Sequence, residues 1–398
     1  MEFGPSIIDG PIKCVFKRWQ DIISDTSFPR LQCQSSKPLL SGFLFQDMFD
    51  ESNQVKYVPF SNDEAIVQNS VLDFVPEHVR LFASSNGLIC CLNFGVDGNV
   101  VFICNPIERK CFQLEVPKGS DIIEGLAFVF DPFCNSMDKS PSFKLVSITR
   151  KGDFEFSFHI YSSEIGEWRN SEKNCYCDLD LSCNDRGVFA GGIFYWMTQG
   201  NIIIAFDVEK EQSQCITLPV PRIPPNEEIC EVCIGESEDS LHYIVIAGAA
   251  LQVWVLSCDH KWALKHFISL AAMEGEYPYF FYSEGKRAPV KDVGGLFLPT
   301  WIEPIAFKDG FLLVKLRLHF SYKEGNVSAS TLIYMYNPDA GTMEVLISLE
   351  EMGLPVGCLR TLPYCMSLAP MQSTCVSKIH FNDGEGISSD GIGNFSNN

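Results

Sequence analysis

The sequence predicts an all-β protein, a propeller of about six blades with a short α-helical segment ahead of it. Three observations carry the prediction. Short runs of Val, Ile, Phe, Tyr and Leu are broken by Gly, Asn, Asp or Pro at intervals of about eight to twelve residues, as in antiparallel β-structure. One three-strand pattern recurs five times. Its copies lie about as far apart as the roughly 40 to 50 residues of a four-stranded blade.

The helical segment comes first. Ile12, Val15, Phe16, Trp19, Ile22 and Ile23 recur at three- and four-residue steps with Lys17, Arg18, Gln20 and Asp21 between them, which is the period of an amphipathic helix. Pro11 suits its first turn, and the polar cluster 24–27 followed by Pro29 ends it.

Beyond about residue 38 that period gives way to the repeat: an apolar run, a second apolar run, a turn centred on Asn, Asp or Ser, and a third strand. The first copy comprises 87–92, 100–104, a turn at 105–109, and 111–114; the second 143–148, 158–161, a turn at 162–166, and 168–169. The third comprises 192–196, 202–206, a turn at 207–211, and 215–219; the fourth 241–246, 251–256, a turn at 257–261, and 262–264. The fifth has 310–316, 332–336, a turn at 337–342, and 343–346. The turns start about 57, 45, 50 and 80 residues apart, so the last interval holds an insertion. A lone blade leaves both sheet faces uncovered, whereas blades stacked round an axis bury them. With 39–60 as a further blade and the chain near 365–380 closing the ring, the count is six. The expected division is 1–35 for the helical part, 36–381 for the propeller, and a Gly-, Ser- and Asn-rich disordered tail at 382–398.

Composition narrows the function. Thirty Lys+Arg against fifty Asp+Glu give a net charge of -20, which opposes a reader of nucleic-acid backbones. The apolar runs stop well short of the roughly 20 residues of a membrane span, and Met1 to Gly10 has no signal-peptide pattern. A cytoplasmic or nuclear protein is expected. Seventeen Cys at irregular spacing fit reduced thiols, with Cys90, Cys91, Cys104, Cys111 and Cys215 acting as small buried hydrophobes. The Cys230/Cys233 and Cys175/Cys177 pairs lack the further ligands of a zinc site, so no metal or cofactor is expected.

Motifs with a catalytic mechanism are missing. No GxSxG, HExxH or P-loop occurs, the Asp178, Asp180 and Asp185 stretch lacks the Gly of a calcium loop, and no two of the seven His lie within four residues of each other. A non-catalytic binding protein is the reading that remains. Trp168, Trp196, Trp254 and Trp262 are read as blade-packing residues. Tyr277, Tyr279, Phe280 and Tyr282, near Lys286 and Arg287, could contact a partner, but alternating aromatics fit a buried strand better.

Two stretches carry a resemblance. Cys14-Val15-Phe16-Lys17-Arg18-Trp19, followed by Ile22-Ile23-Ser24-Asp25 and Phe28, resembles the C-terminal half of a plant F-box. Ser84-Ser85-Asn86-Gly87-Leu88, Cys104-Asn105-Pro106, Tyr161-Ser162 with Trp168-Arg169, Gly192-Ile193-Phe194-Tyr195-Trp196, and Ala205-Phe206-Asp207 with Leu218-Pro219 resemble the kelch-like F-box-associated propeller of the same plant proteins. The family's opening Leu-Pro-x-Glu/Asp segment is absent from Met1 to Gly10, which implies an F-box truncated at its N-terminus.

The resemblance implies the substrate-recognition subunit of an SCF-type cullin ubiquitin ligase, docking on a Skp adaptor and presenting a protein target through the propeller. It implies Cys14, Val15, Trp19, Ile22 and Ile23 as adaptor contacts, and leaves the target and its contact residues unassigned. An adaptor-independent binding propeller or decoy, and a glycan- or metabolite-binding propeller, are the alternatives.

Overall fold

The structure, a computed structural model, describes residues 39–47, 54–60, 71–75, 79–95, 98–116, 123–131, 142–182, 186–222, 230–248, 250–276, 290–291, 297–298, 302–319, 329–354 and 359–367. The helical segment at 12–23, the tail at 382–398 and the aromatic run at 277–282 lie outside them.

The strands form six antiparallel meanders. The first blade holds β1 (Gly42–Asp47) and β2 (Val55–Pro59); the second β3 (Val79–Ser85), β4 (Leu88–Gly95), β5 (Gly98–Asn105) and β6 (Lys110–Glu115). The third holds β7 (Ile123–Asp131), β8 (Ser142–Arg150), β9 (Glu155–Ser162) and β10 (Glu167–Asn170), with the short β11 (Cys175–Tyr176) also on β9. The fourth holds β12 (Val188–Ala190), β13 (Ile193–Met197), β14 (Ile202–Asp207) and β15 (Gln212–Thr217), and the fifth β16 (Glu231–Ser237), β17 (Ser240–Ala247), β18 (Ala250–Leu256) and β19 (Trp262–Ser269). A helix α1 (Leu270–Glu276) and a two-stranded ribbon, β20 (Val290–Lys291) with β21 (Phe297–Leu298), fill the long interval expected from the repeat spacing. The sixth blade holds β22 (Ile302–Lys308), β23 (Phe311–His319), β24 (Ala329–Asn337) and β25 (Thr342–Ser348). A capped helical turn, α2 (Leu349–Met352), then leads to β26 (Leu359–Tyr364).

Closure comes from that last strand. β26 pairs antiparallel with β1, Leu362 opposite Leu44, so the C-terminal strand is the innermost strand of the N-terminal blade. It lies just ahead of the stretch 365–380 that the sequence suggested. The innermost strands β26, β3, β7, β12, β16 and β22 touch in cyclic order, which makes the six sheets a ring.

Two-sided burial explains the continuous apolar runs. Along β5, Val101 and Ile103 pack toward the third blade, while Phe102 and Cys104 pack toward the first. Along β14, Ile204 and Phe206 face the third blade, and Ile203 and Ala205 the fifth. Six apolar clusters result, one in each seam between blades. The third-to-fourth seam contains the parallel Phe158 and Phe206 rings at 4.1 Å with Trp196 beside them.

The turns fall into two classes set by strand twist. Between the first and second strands, Asn86-Gly87, Gly191-Gly192, Glu238-Asp239 and Asp309-Gly310 all have both φ angles positive, as two-residue hairpins require. Between the third and fourth strands the repeat's polar residue closes the turn. Asn105, Asp207 and Asn337 each accept two backbone N–H groups through Oδ1. Both classes of turn lie at the same end of the ring.

Candidate functional site

That end opens on a cavity. Its volume is 640 Å³, and it is lined by the ends of all six innermost strands. Its lining includes Phe82, Phe128, Phe130, Phe307 and Leu362, whose side chains are buried in the seams, and half-buried Val129, Val188 and Phe189. Its charges are Asp131, Glu164, Glu209, Glu236 and Asp239 against Lys144, Lys308 and Arg186. The lysines have partners on the wall itself. Lys144 bonds Glu209, and Lys308 bonds the buried Glu236.

Arg186 lies where β12 begins and rivets the axis. Its Nη1 donates to the Thr361 carbonyl on β26 and its Nη2 to the Ile305 carbonyl on β22 at 3.0 Å, while Gly187 N–H donates to Leu126 O on β7 at 3.0 Å. Four of the six innermost strands therefore meet through one dipeptide. The Ser84-Ser85-Asn86 motif serves the same purpose nearby. Ser84 Oγ donates to Pro363 O, Phe130 N–H donates to Ser85 Oγ at 3.0 Å, and Asn86 Nδ2 donates to Phe130 O at 2.8 Å. The second blade is thus tied to both its neighbours at the cavity wall.

Farther out, two tryptophans occupy equivalent seam positions. Trp168 on β10 donates from Nε1 to Glu115 O of the second blade at 3.0 Å, and Trp262 on β19 donates to Thr217 O of the fourth at 2.9 Å. Trp196 is buried in a seam and Trp254 is half-buried on β18, so all four are packing residues as the repeat implied.

Among the expected thiols, Cys90, Cys91 and Cys104 are buried and Cys111 is half-buried, but Cys215 is exposed. Cys215 sits on β15, the outermost strand of its blade, at the outer rim of the third-to-fourth seam, whereas Ile216 on the other face packs into the fourth-to-fifth seam. It lies 3.6 Å from buried Cys175 across the third-to-fourth seam, and the hydrogen bond between them lowers the Cys175 pKa while raising that of Cys215. Among the described residues no group of three or more His, Cys, Asp or Glu is placed to hold a metal ion, and no helix is long and apolar enough to cross a membrane.

Cys14, Val15, Trp19, Ile22 and Ile23 lie outside the described residues, as do Lys286 and Arg287. The cavity was not assigned from sequence. Its lining comes from turns and strand ends spread over residues 82–365, and no local pattern marks them.

A family model described as F-box protein At3g26010-like, beta-propeller, matches residues 66–281. The F-box protein At5g49610 of Arabidopsis thaliana is 28% identical over 283 residues, covering 68% of this chain and 76% of the relative. The putative F-box protein At1g70960 of Arabidopsis thaliana is 22% identical over 276 residues, covering 61% of this chain and 68% of the relative. A solved structure from Lactobacillus plantarum superposes loosely, with a TM-score of 0.40 and 11% identity over 81% of this chain and 100% of the other.

Proposed function

The chain belongs to the At3g26010-like F-box β-propeller family of plant proteins, and on that premise we propose that it is the substrate-recognition subunit of an SCF-type cullin ubiquitin ligase. The family match is the observation that carries this reading. In it, the segment around Trp19 docks on a Skp adaptor through Cys14, Val15, Trp19, Ile22 and Ile23, and the propeller holds the target. The protein works in the cytoplasm or nucleus and is not itself an enzyme. Its contribution is proximity: holding a target beside the ligase raises the effective concentration of the target's lysines at the conjugating enzyme.

The ring supports a division of labour. Turns positioned by a rigid scaffold are common binding elements, and here two sets of turns surround an open axial cavity. Titrating a purified plant Skp adaptor against the full chain and against Trp19→Ala tests the reading. Saturable binding by the wild type, lost in the variant, is expected; a full chain that does not bind the adaptor contradicts it.

A further inference from the structure

The cavity wall is not charged evenly. Asp131 ends β7, Glu164 lies in the turn before β10, Glu209 in the turn before β15 and Asp239 in the turn before β17, so the third, fourth and fifth blades form an acidic arc. The opposite arc, on the second and first blades, presents Ser84, Ser85, Asn86, Leu362, Pro363 and Cys365, with no acidic residue among them. Within the acidic arc the lining cation Lys144 is already bonded to Glu209, and the guanidinium of Arg186 is held by two carbonyls below. Five carboxylates against three cations leave the formal balance of the lining negative by two charges.

The same wall has an apolar floor. Half-buried Val129, Val188 and Phe189 contribute to it, and 640 Å³ lies within the roughly 300–1,000 Å³ range of ligand pockets. A long basic side chain suits the boundary between such a floor and an acidic rim, because its methylene stem covers apolar surface while its charged head stays near solvent.

We propose that the axial cavity binds a short basic–apolar segment of the protein target, with an apolar side chain on the floor of Val129, Val188 and Phe189 and flanking Arg or Lys against the carboxylates of the third to fifth blades. This deepens the receptor reading by naming the chemistry of the target. Long-range attraction to a strongly acidic chain steers such a segment toward the face, and the local carboxylates fix its direction across the mouth.

A randomised peptide library displayed against the full chain tests this without the adaptor, so its outcome is independent of the adaptor titration. Recovered peptides are expected to be enriched in Arg or Lys beside an apolar residue. Replacing Arg by neutral citrulline in a recovered peptide, or combining Glu164→Gln with Asp239→Asn in the protein, is expected to weaken binding about tenfold at low salt. Asp153→Asn, on the turn between β8 and β9 at the other end of the ring, should leave it unchanged. Recovery of neutral or acidic peptides, no recovery at all, or carboxylate variants that bind like the wild type would overturn the proposal. So would full displacement of the peptide by an equal concentration of spermidine, since the occupant would then be a small polyamine.

Discussion

Gly235 is the position at which the ring tolerates least. It lies on β16 beside the sixth blade, where Glu236 and Lys308 form a parallel pair and Asp309 N–H donates to Glu236 O at 3.2 Å. A Cβ added there would stand 2.0 Å from Phe307 O and 2.7 Å from its carbonyl carbon, both backbone atoms that no rotamer change can move. Relief requires β16 and β22 to separate by more than about 1 Å. Overpacking of this kind costs about 1–3 kcal/mol, and the loosened hydrogen bond adds about 1 kcal/mol. Gly235→Ala should therefore destabilise by about 2–4 kcal/mol, lowering the melting temperature by roughly 2–5 °C for a chain of this size. Denaturant and thermal unfolding measure it. Gly166→Ala is the control, because φ is +78° there and nothing lies within 4 Å of the new Cβ, so only backbone strain of about 1 kcal/mol remains. A Gly235→Ala protein no less stable than Gly166→Ala would refute the close-approach argument.

Three further outcomes follow from the seams and the buried groups. Trp262→Phe should lose the Nε1 bond to Thr217 O and about 1 kcal/mol of stability, with Trp168→Phe behaving alike because its bond to Glu115 O is equivalent; unequal effects in denaturant titrations would argue against that equivalence. His242 is buried against Phe307 with Nε2 unbonded, and burial holds its pKa below the ordinary 6.5. The unfolded chain then binds the proton more tightly, so the His242 contribution is complete above about pH 6.5 and is lost as pH falls through and below it; His242→Phe should flatten that part of the stability profile. Hydrogen peroxide should join Cys175 and Cys215 before Cys104 and Cys111, two thiols and one peroxide giving a disulfide and two waters. Cys215 is exposed and the Cys175 pKa is lowered, whereas Cys104 is fully buried with its pKa raised, and non-reducing peptide mapping reads the order.

How much of this was legible in sequence depends on the strand. The second and third strands of five blades were readable because seams on both faces make them apolar runs, as in Ile202-Ile203-Ile204-Ala205-Phe206, and the fourth because a polar turn such as that at Asp207 precedes it. The innermost strands were not. Val188-Phe189-Ala190 is too short to stand out, and β16 and β22 carry Glu231, Gly235, Glu236 and Glu303 because they line a polar axis rather than a uniform core. Cys215 was misread because an outermost strand lies at the rim of its seams, so a residue there can touch the next blade and still be open to solvent. Arg186 gave no signal at all, since its carbonyl partners are 119 and 175 residues away. The cavity's carboxylates were hidden for the same reason: closure of the ring, and not sequence proximity, brings them together.

The receptor reading requires two interfaces that fail separately. Immobilised Skp adaptor, the full chain and a fluorescent peptide recovered from the library can be assembled and the retained fluorescence measured. The wild type should bridge adaptor and peptide; Trp19→Ala should lose the adaptor while still binding peptide in solution, and Glu164→Gln with Asp239→Asn should stay on the adaptor without retaining peptide. A chain that never bridges the two, or a cavity variant that loses the adaptor as well, would contradict a receptor with its target site on the propeller axis.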